Sequence, residues 1–420
     1  MRASRLIFAA CVLLLAAPPA AGASVLQSQI QTLVARSQFG SSRTGVVVYD
    51  RGRGRLLAVY HGRLEMHPAS NVKLTTSAAV LGRLGLGTRL TTNVLATGTL
   101  NGGTLHGRLW LVGDGDPSLS TLPFSRLAFA GSSALVHDLA AGVRATGIRR
   151  VTLGVYGDES AFDSIRRGPI WKNDSFLDCP PLSALSVNEG WVAFDSPAAV
   201  PNQALSAAQQ FVRALQRQGI AIGHGAHTGV HPASAQPVAS EPSPTMHKLV
   251  YEMDQVSDNF FAETLTKDLA AGAGKRGSTR AGTTITRNYL RSLGVDLAGA
   301  RLFDGSGLSK GDRLSPRQIV GILRRAAVQP YGWFYRHALP LAGVSGTLYN
   351  RMRSGPAYRN ALAKTGTLDG ASALSGYVTT RNGHHLAFSI VMNERHIDVP
   401  AAHVLQDRIV QLLAGSSPRG

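Results

Sequence analysis

The sequence predicts an α+β protein, an antiparallel sheet with flanking helices that is split by an inserted strand-rich domain. Three observations carry this. Hairpin patterns stand near both ends of the chain, helical spacing recurs between them, and from about Leu90 the texture changes to short β-branched runs broken by Gly, Asp, Pro and Ser. With 420 residues, 44% of them hydrophobic and 16% charged, the chain has apolar material for more than one core, and disorder is excluded over most of its length.

Taken in order, the first element is a targeting segment. Arg2 and Arg5 precede an apolar run from Leu6 to Ala17, followed by Pro18-Pro19 and the small residues Ala21-Gly22-Ala23. This is a secretory signal pattern, with cleavage expected after Ala23 and an exported, periplasmic product. The run is shorter than the roughly 18 uninterrupted apolar residues of a membrane helix, and no later segment supplies them. A lipid anchor at Cys11 is disfavoured because cleavage there leaves the signal almost no apolar core. The mature chain then holds one cysteine, Cys179, so no intrachain disulfide forms.

A polar amphipathic opening, Val25 to Ser37, leads into the runs Thr44 to Tyr49 and Leu56 to Tyr60, which flank Asp50-Arg51-Gly52-Arg53-Gly54 as a hairpin. Apolar residues from Leu74 to Leu86 keep helical spacing, with a helix start near Ser70 and a stop at Gly87. Leu109 to Val112 and Arg150 to Tyr156 are strand patterns of the inserted unit. Ala204 to Gly219 reads as a helix and His224 to Pro244 as a Gly/Pro/Ser-rich connector; helices follow over Met246 to Val256 and Asn259 to Ala271. Leu374 to Thr380 and His385 to Met392 alternate around Arg381-Asn382-Gly383, a hairpin turn, and Pro400 to Leu413 closes the chain as a helix.

The formal charge of +18 favours anionic surroundings such as wall polymer, a membrane surface or nucleic acid. Only seven residues are lysine, and a chain rich in Ala, Gly and Arg reads partly as a codon habit, which weakens the charge as a clue. Trp110, Trp171, Trp191 and Trp333 are scattered, so no base-stacking platform is indicated and nucleic acid is not an expected partner. Peripheral contact with a membrane stays compatible with the basic surface.

Three short motifs carry the chemistry: Ser70-Asn71-Val72-Lys73, Ser257-Asp258-Asn259 and Lys364-Thr365-Gly366-Thr367. At a helix start, Ser70 and Lys73 share one face about a turn apart, so the amine can take the hydroxyl proton. Lys73 acts as that base only if burial and a second cation lower its pKa, and Lys364 is the second cation. The Ser70 backbone N–H faces a developing oxyanion, with Thr367 N–H as its partner. Ser257 relays a proton toward a leaving amine and Asn259 binds a substrate amide. The Thr365 and Thr367 hydroxyls, backed by Lys364, suit a terminal carboxylate, and Gly366 lets the substrate backbone approach the strand. Singly each motif is weak; the scarcity of lysine and the order of the motifs make the set specific.

With these motifs the chain resembles the D-alanyl-D-alanine carboxypeptidases/endopeptidases of the low-molecular-mass class C penicillin-binding proteins. Val112-Gly113-Asp114-Gly115-Asp116-Pro117-Ser118-Leu119, Val238-Ala239-Ser240-Glu241-Pro242-Ser243-Pro244, Asp304-Gly305-Ser306-Gly307-Leu308-Ser309 and Ala342-Gly343-Val344-Ser345-Gly346-Thr347-Leu348 match that family in character and order. The resemblance implies a penicillin-binding transpeptidase-like (β-lactamase-like) domain with peptidoglycan stem peptides as substrate, β-lactams as acylating inhibitors, and neither cofactor nor metal. The gap from Ser70 to Ser257 far exceeds that from Ser257 to Lys364, which places the family's inserted domain at 90–242, between catalytic parts at 24–89 and 243–420. Family members commonly carry a further small domain after the segment matched by Val187-Asn188-Glu189-Gly190; the short stretch before Ala204 predicts its absence here. Asp158, in Gly157-Asp158-Glu159-Ser160, matches a position implicated in recognising the free amino-acid end of the diaminopimelate side chain, or else is a turn aspartate.

Other candidates are weaker. His224, His227 and His231 have ligand-like spacing but sit in the expected connector. Gly272-Ala273-Gly274-Lys275 lacks the first glycine and the Ser or Thr of a phosphate loop. Asp304 and Ser306 sit in a tight turn that can border the active cleft, with packing the expected role. Two alternatives stand beside the carboxypeptidase: a β-lactamase or esterase on the same fold, against which no Glu-x-x-Leu-Asn element occurs, and a non-catalytic basic wall-binding protein.

Overall fold

The computed structural model describes residues 25–418 except 41, 42 and 197. The expected signal segment at 1–23, with Cys11, lies outside the described residues. Helix α1 (Val25–Ala35) buries Leu26, Ile30 and Val34. Strands β1 (Arg43–Asp50) and β2 (Arg55–Tyr60) form the expected hairpin, whose turn is held by the Asp50 carboxylate accepting from Gly52 N–H and Arg53 N–H. A 3₁₀ turn (Ala69–Val72) runs into α2 (Lys73–Arg83). This helix stops before the expected Gly87, because Gly85 takes a left-handed φ of 92°.

Strands β3 (Thr91–Asn101) and β4 (Thr104–Val112) pair antiparallel and open the inserted domain, followed by α3 (Leu122–Ala128), α4 (Val136–Ala145), β5 (Arg150–Val151) and β6 (Val155–Asp158). Residues 191–202 are the whole link from Gly190 to α5 (Gln203–Arg217). Next come β7 (Ala221–Ile222), β8 (Ala226–Thr228) and β9 (Gln236–Pro242). The region expected to be a connector thus holds two strands. β9 pairs only with β3, at the sheet edge, where Pro237 and Pro242 are tolerated. The sheet runs β7-β5-β4-β3-β9, with β6 beside β4 and β8 beside β6; the β4–β5, β4–β6, β5–β7 and β6–β8 pairings are parallel.

The chain returns through α6 (Met246–Val256), α7 (Asn259–Ala271), α8 (Thr279–Ser292), α9 (Pro316–Ala326) and α10 (Gly332–His337) to β10 (Leu362–Leu368), β11 (Ala371–Thr379), β12 (His385–Asn393) and α11 (Val399–Gly415). β10-β11-β12-β1-β2 make one antiparallel sheet, so the two terminal hairpins join through β1 and β12. Side chains alternate across it. Val46 and Val48 pack in the core shared with α1 and α11, whereas Val47 joins the core built with α2, α6, α7 and α9. A separate core fills the insert. Among the described residues no helix is long and apolar enough to cross a membrane.

Candidate active site

All three motifs converge at one edge of this sheet. Ser70 lies in the 3₁₀ turn and Lys73, three residues on, opens α2, with Lys73 Nζ 3.1 Å from Ser70 Oγ. Ala69, just before the nucleophile, is held at φ 47°, a strained conformation for a residue with a Cβ. Its surroundings over-determine it. A Cβ on Gly307 would stand 2.1 Å from Ala69 O, and Asn71 Nδ2 donates to Lys364 O at 3.1 Å, stapling the turn to β10.

Ser257-Asp258-Asn259 is the elbow between α6 and α7. Ser257 ends α6 in the left-handed conformation, Asp258 caps α7 by accepting from Phe261 N–H at 2.8 Å, and Asn259 opens α7. Asn259 Oδ1 accepts from Lys73 Nζ at 2.7 Å and its Nδ2 donates to Asp178 O of the insert at 3.0 Å. Both ends of the amide, expected to bind substrate, are thus engaged within the protein.

Lys364, Thr365, Gly366 and Thr367 all lie on β10. A Cβ at Gly366 would meet Pro68 O at 2.9 Å and Ser70 N at 3.1 Å, so the nucleophile turn packs directly against this position of the strand. Thr365 Oγ1 donates to Thr347 Oγ1 at 2.7 Å, and Thr367 is exposed.

Lys73 and Lys364 are both fully buried. Burial lowers the Lys73 pKa to about 8 against the pull of Asp258, Asp304, Glu263 and Asp254. Lys364 is pushed down to about 7, first by burial and then by the charge of Lys73. Burial raises the facing carboxyls instead, Asp254 to about 7 and Glu263 to about 8.

Further participants come from outside the three motifs. Glu263, one helical turn beyond Asn259 on α7, accepts from Gly305 N–H and Ser306 N–H at 3.0 and 2.8 Å, and Ser306 O accepts from Lys73 Nζ at 2.9 Å. Ser306 therefore reaches the site through its carbonyl, which no side-chain pattern announces. Asp304 ties the same turn to Trp171 of the insert through Trp171 Nε1 at 2.8 Å. Glu263 shares its helix face with Asn259, Thr266 and Lys267, so no break in an apolar pattern marks it in the sequence.

Beside the motifs lies a cavity of about 420 Å³, bordered by His67, Asp178, Leu308 and Leu368, with Lys172 and Arg313 adding positive charge. Cys179 is buried against Phe260 and Leu308, and burial pushes its thiol pKa well up.

Asp158 is placed elsewhere. Its buried carboxylate accepts from Ser160 N–H at 2.8 Å and from His231 N–H at 2.7 Å, and it lies 2.6 Å from His231 Nδ1. Burial would raise its pKa, but these hydrogen bonds outweigh that and lower it. His227 stacks on Tyr156.

The family model for the D-Ala-D-Ala carboxypeptidase 3 (S13) family matches residues 26–197 and 193–416. The chain belongs to this family. It is 30% identical to the D-alanyl-D-alanine carboxypeptidase of Actinomadura sp. (strain R39) over 93% of this chain and 84% of that relative. It is 32% identical to carboxypeptidase DacB of Mycolicibacterium smegmatis, over 82% of this chain and 75% of the relative. The crystal structure of penicillin binding protein 4 from Haemophilus influenzae superposes with a TM-score of 0.78 at 23% identity, covering 91% of this chain and 98% of that one, which shows a common fold. This S13 member is a serine peptidase, a hydrolase of the carboxypeptidase class.

Proposed function

We propose that Ser70 is the acylated nucleophile of a periplasmic D-Ala-D-Ala carboxypeptidase, also able to act as a D,D-endopeptidase, on peptidoglycan stem peptides. The observation that carries this is the contact between Lys73 Nζ and Ser70 Oγ, with the lysine buried and its pKa lowered to about 8. In this reading 24–89 and 243–420 form the catalytic domain and 90–242 its insert.

Neutral Lys73 takes the Ser70 hydroxyl proton as Oγ bonds to the carbonyl carbon of the penultimate D-Ala. The oxyanion is held by Ser70 N–H and Thr367 N–H. Lys364, Thr365 and Thr367 bind the terminal carboxylate. As the tetrahedral adduct collapses, the C–N bond breaks and the departing D-Ala amine receives a proton from Lys73 through Ser257. Water then hydrolyses the ester, releasing the shortened peptide and restoring the Ser70 hydroxyl. Asn259, fixed between Lys73 and Asp178 O, holds the amine in place and turns toward a substrate amide only by giving up the Asp178 contact.

The adjoining cavity suits the stem-peptide side chain. Asp158 joins the recognition of a free amino end only when His231 swings away from its carboxylate. β-Lactams present a strained amide to the same serine and act as inhibitors. A β-lactam-complexed form of the Haemophilus influenzae protein and a penicillin G-acylated endopeptidase of Bdellovibrio bacteriovorus share the fold. Export to the periplasm rests on the signal pattern at 1–23.

Two measurements test this. Intact mass after incubation with penicillin should rise by one adduct that maps to Ser70, and purified muropeptides should lose D-Ala. A folded protein that leaves Ser70 unmodified overturns the assignment. Rapid recovery from acylation, with no action on muropeptides, would make it a β-lactamase instead.

A further inference from the structure

Where α8 meets the returning segment of the insert, a cavity of about 450 Å³ opens that the proposed chemistry does not use. Four arginines line it: Arg167 from the insert, Arg280 and Arg287 from α8, and Arg301. Among the described residues none of the four is ion-paired to a carboxylate. Asp163, the acid in the lining, is taken by the buried Lys267 ammonium at 2.5 Å. Helix α8 itself carries Arg280, Arg287 and Arg291 and no acidic residue.

A second observation is independent of charge. Thr279 lines the same cavity and is 6% exposed, and among the described residues its buried Oγ1 has no hydrogen-bond partner. A buried hydroxyl left unpaired is destabilising, and an acceptor seated in the cavity would satisfy it. Ile165, Pro169, Leu302 and Phe303 supply apolar walls beside it. A hydroxyl, guanidinium forks and apolar walls in one cavity match a small oxyanion, carboxylate or phosphate, borne on a less polar body.

We infer that this cleft binds an oxyanion group of the cell-wall polymer, holding the enzyme on the polymer while a separate stem peptide occupies the Ser70 site. The source of the anion rests on the proposed function; the chemistry of the cleft does not. Carboxylates of peptidoglycan peptides and phosphates of wall-linked polymers share that chemistry.

Direct binding to the full chain tests it with three probes: a soluble carboxylate-bearing muropeptide, inorganic polyphosphate, and phosphatidylglycerol vesicles. At least one soluble probe should bind, weakening with salt, and Arg280→Gln/Arg287→Gln should reduce that affinity about tenfold or more. Thr279→Val should weaken it several-fold with the salt dependence retained. Whichever soluble probe binds identifies the source of the anion. Unchanged affinity in the double variant, or uptake by vesicles alone, overturns the proposal. Penicillin acylation of Ser70 should be the same in all variants; its absence from the unmodified protein would defeat the proposed function while leaving the binding result intact.

Discussion

The Ser70 site and the Asp158–Lys267 region bury charge in opposite ways. Around Ser70 two fully buried lysines face Asp254, Asp258 and Glu263, yet among the described residues neither lysine forms an ion pair. Lys73 spends its hydrogen bonds on a hydroxyl, an amide oxygen and a carbonyl. In the insert and along its seam with α7, acids are partnered: Asp158 by the His231 ring, Glu159 by Arg166, Asp163 by Lys267. Burial without a counter-ion moves pKa values toward neutrality and leaves a proton free to move, whereas burial with one fixes geometry. The first arrangement suits a base and the second a clamp, which at Asp163–Lys267 ties the insert to α7.

The largest break in this contrast is Lys73→Ala. Truncating this fully buried side chain leaves Asn259 Oδ1 and Ser306 O without its hydrogen bonds and should cost the fold about 2–4 kcal/mol, while acylation of the folded fraction by labelled penicillin falls about 10²–10⁴-fold. A parallel thermal melt separates the two effects; equal loss of stability and acylation would mean that Lys73 is structural. Lys267→Met makes the opposite test. It strips the counter-ion from Asp163 and should lower unfolding free energy by about 2–3 kcal/mol, read by denaturant titration, with acylation of the folded fraction nearly unchanged.

Titration sharpens the same point. Lys73 must be neutral to accept a proton, and burial brings its pKa from 10.5 to about 8. Lowering a lysine pKa enlarges the neutral fraction at a given pH, so at pH 7 roughly one molecule in ten carries the free base. Acylation should rise severalfold per pH unit from 6 to 7 and level off above about 8. A rate still climbing steeply between pH 9 and 10 would show an unperturbed lysine.

Legibility in the sequence followed the same divide. The terminal hairpins, α6 and α7, and the meeting of three motifs were readable because they depend on periodicity and on side chains at fixed spacing. β8 and β9 were missed because their glycines and prolines signal loops, while pairing with β6 and β3 decides the outcome. At the site the unread contacts are backbone or long-range ones: Ser306 O and Asp178 O offer no side chain to notice. At Gly366, likewise, only the fold brings Pro68 O and Ser70 N against the strand.

Asp158 is where the two modes of burial can be told apart with the smallest perturbation. Asp158→Asn keeps the shape and one acceptor for His231 but removes the charge, so stability should drop by about 1–3 kcal/mol, as for loss of a charge-assisted hydrogen bond. Acylation by penicillin, which has no diaminopimelate side chain, should stay within about twofold. The informative quantity is the ratio between substrates. If Asp158 serves only to hold His231, hydrolysis of muropeptides with a free amino end will follow penicillin acylation and stay within the same twofold. If His231 yields its place to the substrate ammonium, turnover of those muropeptides alone will fall, and muropeptides with that amine acetylated will be cleaved equally by both proteins. A matched loss on all substrates would reduce Asp158 to a clamp like Asp163.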